Sequence, residues 1–364
     1  MNAALFPATL EESLAIPRGS FRLVVCQTCG LIFNADHDEA LVEYSPRCVE
    51  TQGCSPRSRA FTDALAQEWV DRYSLRGAAI LEVGSGPEAG FLRTMCELTG
   101  STGIGIDPAC TPGSDGAVTL LAERFTSAHA GLPGGALVCR HTLEHIPEVG
   151  AFLGAMRAWA ERHAEAPLLF ELPDAGRILR EGAFWDVYYE HCSYFTAATV
   201  ESAFRLAGLE PEWTRIEFDD QYLVVEARLA PEPRRAFEQA APAVQAAIAF
   251  ADTSSRRIDQ SARALRDLAR DGRVVLWQAG GKALALLTVT DVGEAVAGVV
   301  DGNPAKRGLY LPGTTRRIHG PQDVPALAPR HVVVMNPVYV EEIGASLAQA
   351  GVTANVTALE ALLD

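Results

Sequence analysis

Positive charge is scarce in this chain. Its 31 lysines and arginines face 46 aspartates and glutamates, a formal charge of −15, and a protein of that sign repels polyanions, so nucleic acid and anionic membranes are excluded as main partners. Long apolar runs are lacking as well: none reaches the ~18 residues of a membrane-spanning helix. The first 17 residues carry Glu11 and Glu12 and no apolar stretch of secretory length, so no signal peptide is expected and the chain is read as cytoplasmic. Cysteines number eight in 364 residues, most of them in apolar or catalytic-looking segments, which favours reduced thiols over a disulfide framework. A second C-x-x-C to match Cys26 and Cys29 is missing. A tetrahedral zinc site needs four ligands, and Cys48 and Cys54 are the only cysteines placed to complete it, so zinc stays open.

With 48% hydrophobic and 21% charged residues, a disordered chain is ruled out and two or three globular domains are expected. Residues 21–33, FRLVVCQTCGLIF, read as a hairpin around a C-x-x-C-G turn, the shape of a zinc knuckle. Apolar residues at helical spacing follow over 58–73, then a short strand at 78–83, a helix at 90–98, and strands at 103–107, 137–140 and 168–172. Strands alternating with helices mean a parallel, doubly wound sheet. Residues 234–270 are Ala-rich with one apolar face and read as one or two linking helices. A second α/β unit begins at Arg273. The fold class is therefore α/β, with a small hairpin segment (1–57), a Rossmann-like domain (58–233), a helical linker (234–270) and a second Rossmann-like domain (271–364).

The chemistry gathers at strand ends. Glu82, Gly84, Ser85 and Gly86 lie where a strand turns into a helix, letting the backbone approach a ligand near a helix N-terminus. The spacing G-S-G-P-E-A-G is not G-x-G-x-x-G, and with Glu82 it favours S-adenosylmethionine over a dinucleotide. Asp107, ending the next strand, suits ribose hydroxyls, with helix capping alongside Pro108 as its plain alternative. Arg140 and His141, before Glu144 and His145 in CRHTLEHIPE, are assigned to the cofactor pocket wall. His141 and His145 are spaced like a metal pair, but no third ligand is evident. The densest cluster is FWDVYYEHCSYFT, residues 184–196, whose Tyr-Glu-His run offers a general base, an orienting carboxylate and hydroxyls.

LVVCQTCGLIFN, YSPRCVETQGCSP, LEVGSGPEAGFL, CRHTLEHIPE, FWDVYYEHCSYFT, WQAGGKALALL and VVDGNPAKRGLYLPG, in this order, resemble the class I S-adenosylmethionine-dependent C-methyltransferases. That family carries an N-terminal zinc-binding segment and a C-terminal Rossmann-like domain, and includes 3-C-methyltransferases of nucleotide-linked deoxysugars. The resemblance implies His191 as the base that removes a proton beside a ketone, with Glu190 and Tyr189 binding or polarising substrate. It implies that the C-terminal domain closes over the substrate, with Lys282, Asn303 and the basic group Lys306, Arg307, Arg316 and Arg317 near nucleotide phosphates. Tyr44, Tyr188 and His145 are expected on the substrate side. Because a carbon beside a ketone is acidic enough for base-promoted enolisation, no metal is required for this step.

Other readings stay open on the residues alone. The same build serves methylation of another carbon, nitrogen or oxygen of a natural-product intermediate. The glycine turn at Gly280 and Gly281, with Asp301 ending a later strand, also suits a nicotinamide-dependent oxidoreductase or a silent nucleotide-binding module.

Overall fold

The computed structural model describes residues 4–49, 53–234 and 240–363. The N-terminal segment holds α1 (Leu10–Ala15) and a hairpin of β1 (Leu23–Val25) and β2 (Ile32–Asn34). Gly30 at φ +77° closes the C-x-x-C-G turn, where its N–H donates to the Cys26 carbonyl at 2.8 Å.

The segment does not stand apart. Ser13 Oγ donates to the carbonyls of Leu311 and Thr314, and the N–H of Tyr310 donates to the Pro7 carbonyl. These bonds stitch it to the far end of the chain.

The first large unit runs through α2 (Pro56–Arg72), β3 (Ile80–Val83), α3 (Gly90–Thr99), β4 (Gly103–Ile106), β5 (Gly113–Ser114), β6 (Val118–Leu121), β7 (Ala136–Arg140), α4 (Val149–Ala160), β8 (Leu168–Pro173), α5 (Ala175–Glu181), β9 (Ser193–Tyr194), α6 (Ala197–Ala207), β10 (Leu209–Glu217) and β11 (Tyr222–Leu229). Its sheet has the order β10-β11-β8-β7-β3-β4-β6-β5, while β9 leaves it to pair with β2 of the hairpin. The strands β8, β7, β3, β4 and β6 are parallel. β3 and β7 are buried along their whole length, as expected of parallel strands covered on both faces by helices. The alternation of strands and helices made this parallel core legible. The edge pair β10–β11, antiparallel to β8, was not foreseen: its residues mix charge with β-branched side chains because one edge meets solvent.

The described part of the linker is one helix, α7 (Ala240–Asp271), and 235–239 of the expected 234–270 span lie outside the described residues. The second unit follows as β12 (Val274–Trp277), α8 (Gly281–Thr290), β13 (Val296–Val300), β14 (Ile318–His319), α9 (Val324–Leu327), β15 (His331–Val334), α10 (Val340–Gln349) and β16 (Asn355–Ala358). Its parallel sheet has the order β14-β13-β12-β15-β16.

One apolar core ties the parts together. Phe6 and Ile32 of the N-terminal segment, Phe184, Trp185 and Tyr194 of the first unit, Phe250 and Leu265 of α7, and Leu276 and Leu286 of the second unit share it. Each such side chain contributes ~1.5–3 kcal/mol when fully buried, so the aromatic segment 184–196 is anchored at the junction of the two sheets. Among the described residues no helix is long and apolar enough to cross a membrane.

Candidate active site

The carboxyl ends of β3, β4, β7 and β8 and those of β12, β13 and β15 open onto one cavity of about 990 Å³, the place where open parallel sheets bind ligands. Every cofactor residue expected from the sequence, Glu82, Gly84, Ser85, Gly86, Asp107, Pro108, Arg140 and His141, lines it. Gly84 has φ +75°, and a β-carbon there would fall 1.7 Å from Thr142 Oγ1. Only glycine lets the loop after β3 pass so close to the end of β7.

Asp107 directly follows β4 at the cavity wall, and no helix comes after it, so the capping alternative does not hold. Its Oδ1 accepts the Ala109 N–H at 2.7 Å, and its Oδ2 accepts the Gly86 N–H at 2.9 Å, which fixes the glycine loop. Each carboxylate oxygen retains a second lone pair for a ligand hydroxyl. Burial pushes the Asp107 carboxyl above its ordinary value, against the pull of these two N–H groups.

Beside this wall runs a row of charges. Arg140 Nε donates to Glu171 Oε2 at 2.8 Å, His141 Nε2 stands 2.6 Å from Glu171 Oε1, and His141 Nδ1 is 3.6 Å from Glu144 Oε1. Burial alone would lower the His141 pKa, but Glu171 and Glu144 outweigh it and hold it at about 9. Burial would likewise raise the Glu171 carboxyl, yet Arg140 and His141 bring it to about 2. Both groups are therefore charged at neutral pH. Glu171 was missed in the sequence, although a carboxylate inside the apolar strand LFELP was the available signal.

The expected base, His191, is buried and lines the cavity. Its ring centroid lies 4.1 Å from that of Tyr188 and 4.8 Å from that of His145, the latter at 86°. Among the described residues nothing hydrogen-bonds its ring nitrogens. Burial, and then the neighbouring His145, push its pKa down to about 3, so the ring is neutral at neutral pH. The run offered Glu190 as the orienting carboxylate, but the carboxylates whose charge acts on the ring are Glu144 first and then Asp186.

Glu190 lines the cavity while its Oε1 accepts the Ala4 N–H at 3.2 Å. Its carbonyl oxygen lies 3.1 Å from His145 Nδ1, which is also 3.0 Å from the Tyr44 hydroxyl. Tyr189 turns the other way. Its hydroxyl accepts the Asp38 N–H at 3.0 Å and its ring packs on His37, away from the cavity wall. Tyr189 therefore braces the N-terminal segment and is not among the residues that line the cavity, because the turn at 189–190 carries its side chain out of the wall that Tyr188, Glu190 and His191 form.

Tyr44, Tyr188, His145, Lys282, Asn303 and Lys306 all line the cavity. Lys282 pairs with Asp186 at 2.9 Å, and Asp186 also accepts from Arg177 at 2.6 Å. Lys306, 3% exposed, donates to the Ala279 carbonyl at 2.8 Å and to Asp301 Oδ2 at 2.9 Å, so it locks the glycine turn of the second unit from within. Arg307, Arg316 and Arg317 do not reach the cavity. They bond Asp323, the Gly293 carbonyl and the Gly308 carbonyl on the outer side. Arg124 pairs with Glu39, and among the described residues every lysine and arginine on the cavity wall is ion-paired. Asp186, Arg177, Gln221 and Asn336 also line it; no spacing in the sequence marked them.

His141 and His145, spaced like a metal pair but assigned to the pocket wall, both line the cavity. Among the described residues the one set of three metal-ligating side chains is Glu144, His145 and His191, with ligand atoms within 4.8 Å of one another. Cys26 and Cys29 belong to no such set, and Cys48 and Cys54 lie on the cavity wall.

Residues 58–212 match the family model of a methyltransferase domain, and residues 223–355 match that of a C-methyltransferase C-terminal domain. Among curated proteins none matches. Among solved structures, the 1,6-didemethyltoxoflavin-N1-methyltransferase of Burkholderia thailandensis is 16% identical over 46% of this chain and 78% of its own, with a TM-score of 0.36. The magnesium protoporphyrin IX methyltransferase of Synechocystis PCC 6803 is 15% identical over 48% and 84%, with a TM-score of 0.37. CalO1, a methyltransferase in calicheamicin biosynthesis, is 18% identical over 46% and 54%, with a TM-score of 0.35.

Proposed function

We propose that this S-adenosylmethionine-dependent methyltransferase methylates a carbon next to a ketone, in a small molecule of the nucleotide-linked keto-deoxysugar class. The observation that carries the reading is a neutral, buried imidazole, His191, facing a cavity shared by both α/β units.

The residues present suit the methyl donor. Gly84, Ser85 and Gly86 form the loop that receives it, Asp107 has lone pairs left for its ribose, and Glu82 and Asp107 favour its positive charge. When bound, S-adenosylmethionine supplies an electrophilic methyl group on a sulfonium. His191 takes the α-proton and the C–H electron pair passes into the enolate, whose carbon would be the nucleophile for that methyl group. Tyr188 and Tyr44 border the acceptor, and His141, held cationic, supplies a fixed positive charge near the developing enolate.

The test is deuterium exchange at the α-carbon of candidate keto-sugar nucleotides without methyl donor, followed by mass detection of one added methylene once donor is present. Exchange that is lost in His191→Ala supports the reading, whereas wild-type exchange and methylation in that variant make His191 structural.

A second reading keeps the chemistry and changes the acceptor. Because, among the described residues, every lysine and arginine lining the cavity is already ion-paired, a diphosphate finds no unengaged side-chain cation there, which favours an uncharged natural-product ketone. Comparing a keto-sugar nucleotide with its unphosphorylated analogue separates the two. A nicotinamide-dependent reaction in the second unit is the weaker reading: Asp301, the acid placed for a ribose, already accepts from the N–H groups of Ala279 and Asn303 and is ion-paired with Lys306, whereas Asp107 pairs with no lysine or arginine among the described residues.

A further inference from the structure

We infer that Glu144 is the positioning residue for His191: its buried carboxylate, close to the imidazole, balances the positive charge that proton removal leaves on the ring. The inference rests on the reading of His191 as the base. Neither the sequence pattern nor the cluster at 184–196 singles out Glu144, since the carboxylate next to the histidine in the chain is Glu190.

Glu144 is 3% exposed, and neither of its carboxylate oxygens has a hydrogen-bond partner among the described residues. It lies with His145 and His191 in a group whose ligand atoms are all within 4.8 Å. A buried carboxylate costs several kcal/mol unless it is compensated. Compensation comes from behind, where His141 Nδ1 stands 3.6 Å away and is held in turn by Glu171 and Arg140. The signs alternate along this row: Arg140 positive, Glu171 negative, His141 positive, Glu144 negative.

With His191 neutral, these four charges cancel. Proton removal creates an enolate and an imidazolium together, and the imidazolium forms beside the one negative end of the row that faces the cavity. The carboxylate is then in place before the charge appears, which is how preorganised groups lower a barrier. Glu190 is directed elsewhere, at the Ala4 N–H. His145 stands edge-on to the His191 ring, at 86° with centroids 4.8 Å apart.

The experiment uses the full chain and four proteins: wild type, Glu144→Gln, His191→Ala and the double variant, with Glu144→Asp as the conservative control. α-Carbon exchange is read without donor, kcat and KM with donor, S-adenosylhomocysteine affinity by calorimetry, and folding by melting temperature. Glu144→Gln is expected to lower exchange and kcat together, by roughly 10–100-fold, part of the value of a positioned base. KM and S-adenosylhomocysteine affinity should stay near wild type, and Glu144→Asp should recover part of the loss. In the His191→Ala background the same change should cost less than about twofold, since coupled residues are not additive.

Wild-type exchange in Glu144→Gln overturns the inference. So does an equal loss in both backgrounds, because Glu144 would then act independently of the base. If a chelator abolishes exchange by the wild type and zinc restores it, the three side chains form a metal centre and the inference also falls. Wild-type exchange by His191→Ala is a separate result: it removes the base reading itself, and this inference with it.

Discussion

Gly281, the first residue of α8, lies against the ring of Tyr188 so closely that a β-carbon on it would come 2.9 Å from Cδ1 and Cε1. Tyr188 in turn packs on His191. The second unit thus presses on the candidate base through a single aromatic ring. Gly281→Ala should push that ring and lower kcat by roughly threefold to thirtyfold, an overpacking effect of about 1–2 kcal/mol. Alanine also favours the helix by ~0.5–1 kcal/mol, so the melting temperature should change little. Unchanged kcat in this variant would mean that the contact is passive.

The pH profile follows from the neutral state of His191. With its pKa near 3, the ring needs no deprotonation in the working range, so log(kcat/KM) should be flat from about pH 5 to 8, without a limb near the ordinary histidine value of ~6.5. An alkaline fall is expected near pH 9, where His141 loses its proton. A rising limb centred near 6.5 in a pH-rate measurement would assign the base to a more exposed group.

Asp107 joins the glycine loop to the end of β4, and the proposed reading gives its remaining lone pairs to the ribose. Asp107→Ala should weaken S-adenosylhomocysteine binding by about 1–3 kcal/mol, the cost of losing hydrogen bonds to a charged group. Calorimetry checks this, and an unchanged dissociation constant would place the cofactor elsewhere.

Away from the site, Glu226 on β11 accepts from Trp69 Nε1 at 3.1 Å and from the Tyr73 hydroxyl at 2.6 Å, and it pairs with Arg215. Burial would raise its pKa from 4.5, but Tyr73 and Arg215 pull it below that value. For a carboxylate with a depressed folded pKa, the stabilisation is fully present above the unfolded value and is lost as pH falls through the folded one. Glu226→Gln should cost ~3 kcal/mol at neutral pH and less below pH ~4.5. Urea unfolding at both pH values measures the difference, and an equal loss at each would show that shape and not charge matters there.

The sequence by itself determined the elements whose signals are local. Periodicity and turn residues set the parallel strands, the long linking helix and the second α/β unit, and the residues at the strand ends, from Glu82 to His141, read as one pocket because parallel topology brings those ends together. What only the tertiary structure decided depends on which way a side chain turns and what meets it from afar. Tyr189 and Glu190 are neighbours in one short stretch, yet the Tyr189 hydroxyl braces the backbone of 36–38 while Glu190 lines the cavity. Lys282 and Lys306 look like phosphate ligands in the chain, but Asp186 and Asp301 engage both in ion pairs. The row from Arg140 to His191 joins residues up to 51 positions apart, and burial, which no local pattern reports, makes His141 a cation and leaves His191 neutral.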